Sequence, residues 1–126
     1  MVIDKLSRKS IHDQIVEGVE REILAGILPL GAKLPSVREL SVSLCVNPNT
    51  VQKALSALDS AGVIVSTHGR GSFVAEDAAE RIRKRTMPEL EQLKELSARL
   101  ARSGVEEKDI LTAVEEAIKS VKEGKR

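Results

Sequence analysis

The chain has 126 residues, 41% hydrophobic and 31% charged, with a formal net charge of +1; that is room for one compact domain and an appendage, not for two large cores. Phe73 is the only residue among Phe, Trp and Tyr, which argues against aromatic cages, base-stacking platforms and a large ligand pocket, and leaves Leu, Ile, Val and Ala to build the core. Cys45 stands alone, so intramolecular disulfides and CxxC motifs are excluded; with no apolar run near the ~18 residues of a membrane helix and no signal-peptide pattern, a cytoplasmic protein away from membranes is expected.

After the apolar lead MVID, Ser10 with Asp13 three residues on reads as a loose capping box. Ile11, Ile15, Val19 and Ile23, with Leu24 as a further candidate, make the buried stripe of the helix it opens, and Gly26 stops it. ILPLGAKLP is a turn from which Leu34 enters a short strand. Ser36 with Glu39 is a second capping box, opening a short helix that buries Val37, Leu40 and Leu44. A tight turn at Cys45–Val46 leads to a third helix, Pro48 to about Ala61, with Asn47 as cap, Pro48 in the first helical position and Gly62 as its stop. The period then changes: VIVST and SFVA read as β-branched strands joined by the glycine-containing turn HGRG.

From Glu76 the pattern is helical to the end. A long segment runs from about Asp77 to Ser103, interrupted by Pro88, where either a kink or a restart capped by Thr86 is expected. Gly104 breaks it, and a last helix from about Glu106 is expected to bury Ile110, Leu111, Val114, Ala117, Ile118 and Val121. Two amphipathic helices cannot hide their apolar faces alone; they need the first domain or a second copy of themselves. The fold class is therefore mainly α with a small β-hairpin: a winged helix-turn-helix over residues 1–75 and a two-helix segment over residues 76–126.

The third helix carries a peculiar surface. Asn49, Gln52, Lys53 and Ser56 fall on one face, which offers amides, a hydroxyl and a cation but no acid. Global charge is no guide to a partner, because residues 1–75 carry 8 basic and 7 acidic side chains. Local placement has to carry the assignment.

The run ILAGILPLGAKLPSVRELSVSLCVNPNTVQKALSALDSAGVIVSTHGRGSFV resembles the winged helix-turn-helix of GntR-type bacterial transcription regulators: LPSVREL, then VNPNTV, then a wing ending in SFV, at family spacing. The short helical tail resembles the YtrA-like branch. The resemblance implies a homodimeric, sequence-specific regulator, a repressor by expectation, that binds double-stranded DNA at a pseudo-palindromic operator. It implies that the helix from Pro48 lies in the major groove, with Asn47, Asn49, Thr50, Gln52 and Lys53 toward bases and phosphates. Gln52 suits adenine bidentately, and an acid on this face would repel the DNA backbone. Ser36 and Arg38 match DNA-contacting positions of the preceding helix, and His68, Gly69, Arg70 and Gly71 match the wing tip, which enters the minor groove in similar proteins. Leu90, Leu93, Leu96, Leu100, Ile110, Leu111, Val114 and Ile118 are the expected dimerisation residues. There are departures. Many relatives place arginine where Pro48 and Gln52 stand, so the base preference differs; His12 replaces a common aromatic; and Cys45 replaces a common glycine, so either it holds a left-handed conformation or the turn differs.

Each feature has a plainer alternative. Arg38 would otherwise pair with Glu39 or Asp59 on the surface. The basic run RIRKR, Arg81 to Arg85, is either a phosphate clamp or an ordinary solvated stretch. His12 is expected in or near the core, Cys45 is expected to be a buried structural cysteine rather than a redox sensor, and no metal or cofactor is called for. A small-molecule effector, if one exists, would bind between the tail and the first domain, where few polar groups converge. The alternative function is a winged-helix protein-interaction module without specific DNA binding. An enzymatic reading has no nucleophile–base pair, metal cluster or phosphate loop behind it.

Overall fold

The computed structural model describes residues 1–124, which form α1 (Ile11–Leu24), α2 (Val37–Leu44), α3 (Pro48–Ser60), β1 (Ile64–Thr67), β2 (Gly71–Val74), α4 (Ala78–Arg102) and α5 (Glu107–Lys122). The chain divides into two compact units, Met1–Arg85 and Thr86–Arg126.

The first unit is built from capped helices. The Ser10 hydroxyl accepts the Asp13 N–H at 3.0 Å and so starts α1. At α2 the box is complete: Ser36 Oγ accepts the Glu39 N–H at 3.0 Å, and Glu39 Oε1 accepts the Ser36 N–H at 3.2 Å, satisfying two amides that a helix start otherwise leaves open. Ile15, Val19 and Ile23 of α1 meet Leu40 of α2 and Val51, Ala54, Leu55 and Leu58 of α3 in one core. Fully burying such a side chain stabilises by about 1.5–3 kcal/mol, so these residues hold α3 against α1 and leave its other face to solvent.

The wing is an antiparallel pair in the register Ile64↔Val74 through Thr67↔Gly71, which leaves His68, Gly69 and Arg70 as its turn. The short strand expected at Leu34 is a single bridge, Lys33↔Phe73. Leu34 N–H donates to the Ser72 carbonyl and Val74 N–H to the Ala32 carbonyl, each at 2.8 Å. This covers the second edge of β2.

The first compact unit runs past residue 75 to Arg85, because Ala78 and Ile82, in the first turns of α4, are buried with its core. Glu20, a buried acid of α1, is paired there with Arg85. His12 is only half-buried and bonds to Asp13, and Cys45 is exposed rather than buried, since the turn it occupies turns its side chain away from the core.

In the second unit α4 continues through Pro88 without a restart at Thr86. Proline removes one helical N–H and crowds the carbonyl four residues back; the residues of this stretch are exposed, where water can serve a carbonyl that loses its helical partner. A turn at Gly104, whose φ is +92°, leads to α5. Contrary to expectation, α5 buries no residue within the chain: Leu111 and Ile118 are each 52% exposed and Val121 is more so. One copy of α4 gives it too little apolar surface to cover. The expected run of helix to the chain end falls, for residues 125–126, outside the described residues.

Candidate nucleic-acid interface

α2 and α3 pack on each other, and β1 packs on α3, so the elements that carry the expected contacts belong to one compact unit. The turn between the helices sets their relation. Cys45 closes α2 with φ +55° and ψ +49°, the left-handed conformation, one of the two outcomes open where relatives have glycine. Ser41 ties the turn back: its carbonyl accepts the Val46 N–H at 3.1 Å, and its hydroxyl donates to the Val46 carbonyl at 2.7 Å. Val46 is buried, anchoring the chain just before the third helix begins.

At that start Asn47 Oδ1 accepts the Asn49 N–H at 2.8 Å, and Pro48 occupies the first turn. The Asn47 side chain is thus spent partly on capping, whereas the side chain of Asn49 is exposed. Thr50 is half-buried, its N–H donating to the Asn47 carbonyl at 3.0 Å. Gln52, Lys53 and Ser56 are exposed, and Gln52 Nε2 donates to Ser56 Oγ at 3.3 Å. That bond uses one amide hydrogen and leaves the second, with the Oε1 acceptor, for a bidentate contact. No acid lies in the first turn of α3, so its positive dipole end is uncompensated.

On α2, the Ser36 hydroxyl accepts from the Glu39 N–H. Hydrogen bonds from the Ser36 backbone and then the Ser36 side chain hold the Glu39 carboxyl below its ordinary range, so this acid stays ionised on the capping box. Arg38 is exposed and, among the described residues, joins no ion pair, neither with Glu39 nor with Asp59. At the wing, His68, Gly69, Arg70 and Gly71 are exposed, and Arg70 N–H closes the turn on the Thr67 carbonyl at 3.0 Å. Gly71 has φ +102°, and a Cβ there would lie 2.9 Å from Lys33 Cε; glycine lets the wing base and this lysine approach each other.

The remaining cations contrast with these. Arg81 pairs with Asp77 at 2.8 Å, Lys84 with Glu80 at 3.1 Å, and Arg85 with Glu20. Arg81 also lies against Gly62, where a Cβ would meet its guanidinium at 2.7 Å. Three members of the basic run are therefore already matched by acids. Two features of the site have no local signal in the sequence: Lys33 beside the wing base, and a bond from Lys5 to the inter-helix turn. Both depend on segments brought together only by the fold.

In the tail, the expected dimerisation residues Leu90, Leu93, Leu96, Leu111 and Ile118 are 40–52% exposed, while Leu100, Ile110 and Val114 are half-buried. Leu93, Ala98, Ala101, Ile110, Leu111 and Val114 line an open apolar groove between α4 and α5. Among the described residues no helix is long and apolar enough to cross a membrane.

Residues 11–74 match the family model described as bacterial regulatory proteins, gntR family. The HTH-type transcriptional repressor YtrA of Bacillus subtilis is 38% identical over 125 residues, which is 98% of this chain and 96% of that protein. A solved GntR family transcriptional regulator from Listeria monocytogenes is 33% identical, with a TM-score of 0.70, covering 90% of this chain and 98% of that one. The AraR DNA-binding domain, solved in complex with operator ORX1, is 30% identical with a TM-score of 0.55, covering 60% of this chain and 95% of that domain.

Proposed function

This chain belongs to the gntR family of bacterial regulatory proteins, as a sequence-specific DNA-binding transcription regulator, and on that premise we propose that it represses transcription as a homodimer seated on a pseudo-palindromic operator. The observation that carries the reading is the sorting of its cations. Arg38, Lys53 and Arg70 stand exposed and without ion pairs among the described residues, on the three elements that the helix-turn-helix and wing would present to DNA. Arg81, Lys84 and Arg85, in the tail's first turns, are matched by acids instead.

The roles follow from chemistry. The dipole end of α3, which no acid offsets, and the first-turn amides that Asn47 leaves open favour phosphate or base acceptors. Gln52, with Asn49 and Thr50 beside it, reads base edges in the major groove, while Lys53, Arg38 and the Ser36 hydroxyl take phosphates. Arg70, on a turn with glycine either side, enters a narrow and therefore strongly negative minor groove. The apolar faces of α4 and α5, uncovered within one chain, are closed by the same faces of a second copy, which gives a two-fold arrangement of heads. The protein then acts in the cytoplasm, where its operator lies, and binding there would exclude polymerase.

Hydroxyl-radical footprinting on the duplex upstream of the protein's own gene tests this. Two protected patches, related by a dyad and centred about 10 base pairs or a small multiple apart, are expected. A single patch without symmetry would refute the dimeric reading. No protection at any duplex tested would favour an interaction module.

A further inference from the structure

The residues ahead of α1 do more than lead into it. Gln14, only 4% exposed, binds them: its Oε1 accepts the Asp4 N–H at 2.8 Å, and its Nε2 donates to the carbonyls of Asp4 at 2.8 Å and Lys9 at 2.9 Å. The Met1 side chain sits against Gly18, so closely that a Cβ at residue 18 would lie 2.8 Å from it. The segment is thereby strapped along α1. From it Lys5 Nζ donates to the carbonyl of Cys45 at 2.8 Å.

That carbonyl is an unusual one. It belongs to the C-cap of α2, and Cys45 is the only non-glycine residue with positive φ among those described. The last carbonyls of a helix carry uncompensated negative charge, and α2 has no basic residue in its last turn to meet it. A left-handed non-glycine residue is strained unless its surroundings hold it. Lys5 supplies both things from outside the helix-turn-helix: a cation for the dipole and a donor for the carbonyl. The next residues are Val46, which is buried, and Asn47, which caps α3. Whatever holds Cys45 therefore holds the start and aim of the helix whose side chains face DNA.

We propose that Lys5 is a positioning residue for DNA binding, an external brace on the strained turn between α2 and α3. This rests on the DNA-binding reading above. The brace lies outside residues 11–74, the part of the chain that matches the family model.

The test uses the full chain with Lys5→Met, which keeps the stem and loses the donor and charge, and Lys5→Arg, which keeps both. Operator and scrambled duplexes are titrated at low temperature, where circular dichroism shows every variant fully folded, and at several salt concentrations. Lys5→Met is expected to weaken operator binding by the dimer by about three- to thirtyfold, the scale of one charge at a helix end in each of two heads, with the salt slope unchanged and Lys5→Arg restoring the loss. A slope shallower by about 2 for the dimer would make Lys5 a phosphate contact and overturn the proposal. Unchanged affinity in the folded variant would overturn it too, leaving a bond that merely adds stability. Amide hydrogen exchange at Val46, read without DNA, separates this from the underlying function: faster exchange in Lys5→Met is expected even if no duplex is bound specifically, and unchanged exchange would sink the brace by itself.

Discussion

Neutralising Lys53 should change how binding responds to salt, and the size of the change follows from the sorting of cations. Each head offers Arg38, Lys53 and Arg70 without ion pairs among the described residues, so a dimer brings six such groups to DNA. Counterion release then gives a slope of log K against log salt of about −5, or a loss of about 10³-fold between about 50 and 200 mM. Lys53→Ala removes one contact from each head and should flatten the slope by about 2. Lys84→Ala removes a cation already held by Glu80 at 3.1 Å and should leave the slope where it was. Fluorescence anisotropy on a labelled operator duplex, titrated at four or more salt concentrations, reads both variants directly. If Lys84→Ala flattened the slope as much as Lys53→Ala, or if the unaltered protein showed a slope near −1, the division of cations into DNA-facing and paired sets would be wrong.

Gln52→Ala should relax preference at one base pair of each half-site, by about 1–3 kcal/mol of discrimination, while binding to unrelated duplex hardly changes; selection from a randomised duplex pool reads this, and a uniform loss across sequences would make Gln52 a backbone contact. Leu93→Glu with Leu111→Glu puts charges into the apolar groove of the tail, and sedimentation should then show monomer, with operator affinity down by about 10²-fold or more as the second head loses its tether; a dimeric mass with unchanged affinity would remove the tail from that role. Glu39 is an acid with a lowered pKa in the folded state, so its contribution is present above its ordinary value of 4.5 and is lost as pH falls through the folded value. Thermal melting from about pH 6 downwards should therefore show a steeper decline in the natural protein than in Glu39→Gln, with Asp13, lowered chiefly by its bond with His12, contributing in the same sense to both; parallel curves would deny the capping box its electrostatic share.

The parts of this fold legible in the sequence are those set by neighbours along the chain. Ser10, Ser36 and Asn47 cap the three helices of the first unit as their positions suggested. The spacing of Ile15, Val19 and Ile23 named the buried stripe of α1. The left-handed Cys45 was one of two outcomes that its place, where the resembled family commonly has glycine, left open. What escaped depended on long-range packing. Nothing local says that Ala78 and Ile82 complete the first core, or that Arg85 seeks Glu20. Pro88 reads as a break, yet solvent on that stretch of α4 lets the helix continue. The apolar stripe of α5 marked residues that need cover without saying that the chain itself does not provide it. The candidate DNA-facing residues were nameable through the resemblance carried by LPSVREL, VNPNTV and the wing; the absence of ion pairs at Arg38, Lys53 and Arg70 was not, since each partner's choice is made in space.

The central claim is specific recognition of duplex DNA, and one measurement reaches it most directly: anisotropy binding to a duplex from upstream of the protein's own gene, against a scrambled duplex of equal composition, at two salt concentrations. A preference of about 10³-fold or more for the upstream duplex, with both affinities falling steeply in salt, is the expected result. Weak and equal binding to the two duplexes, with little response to salt, would contradict it.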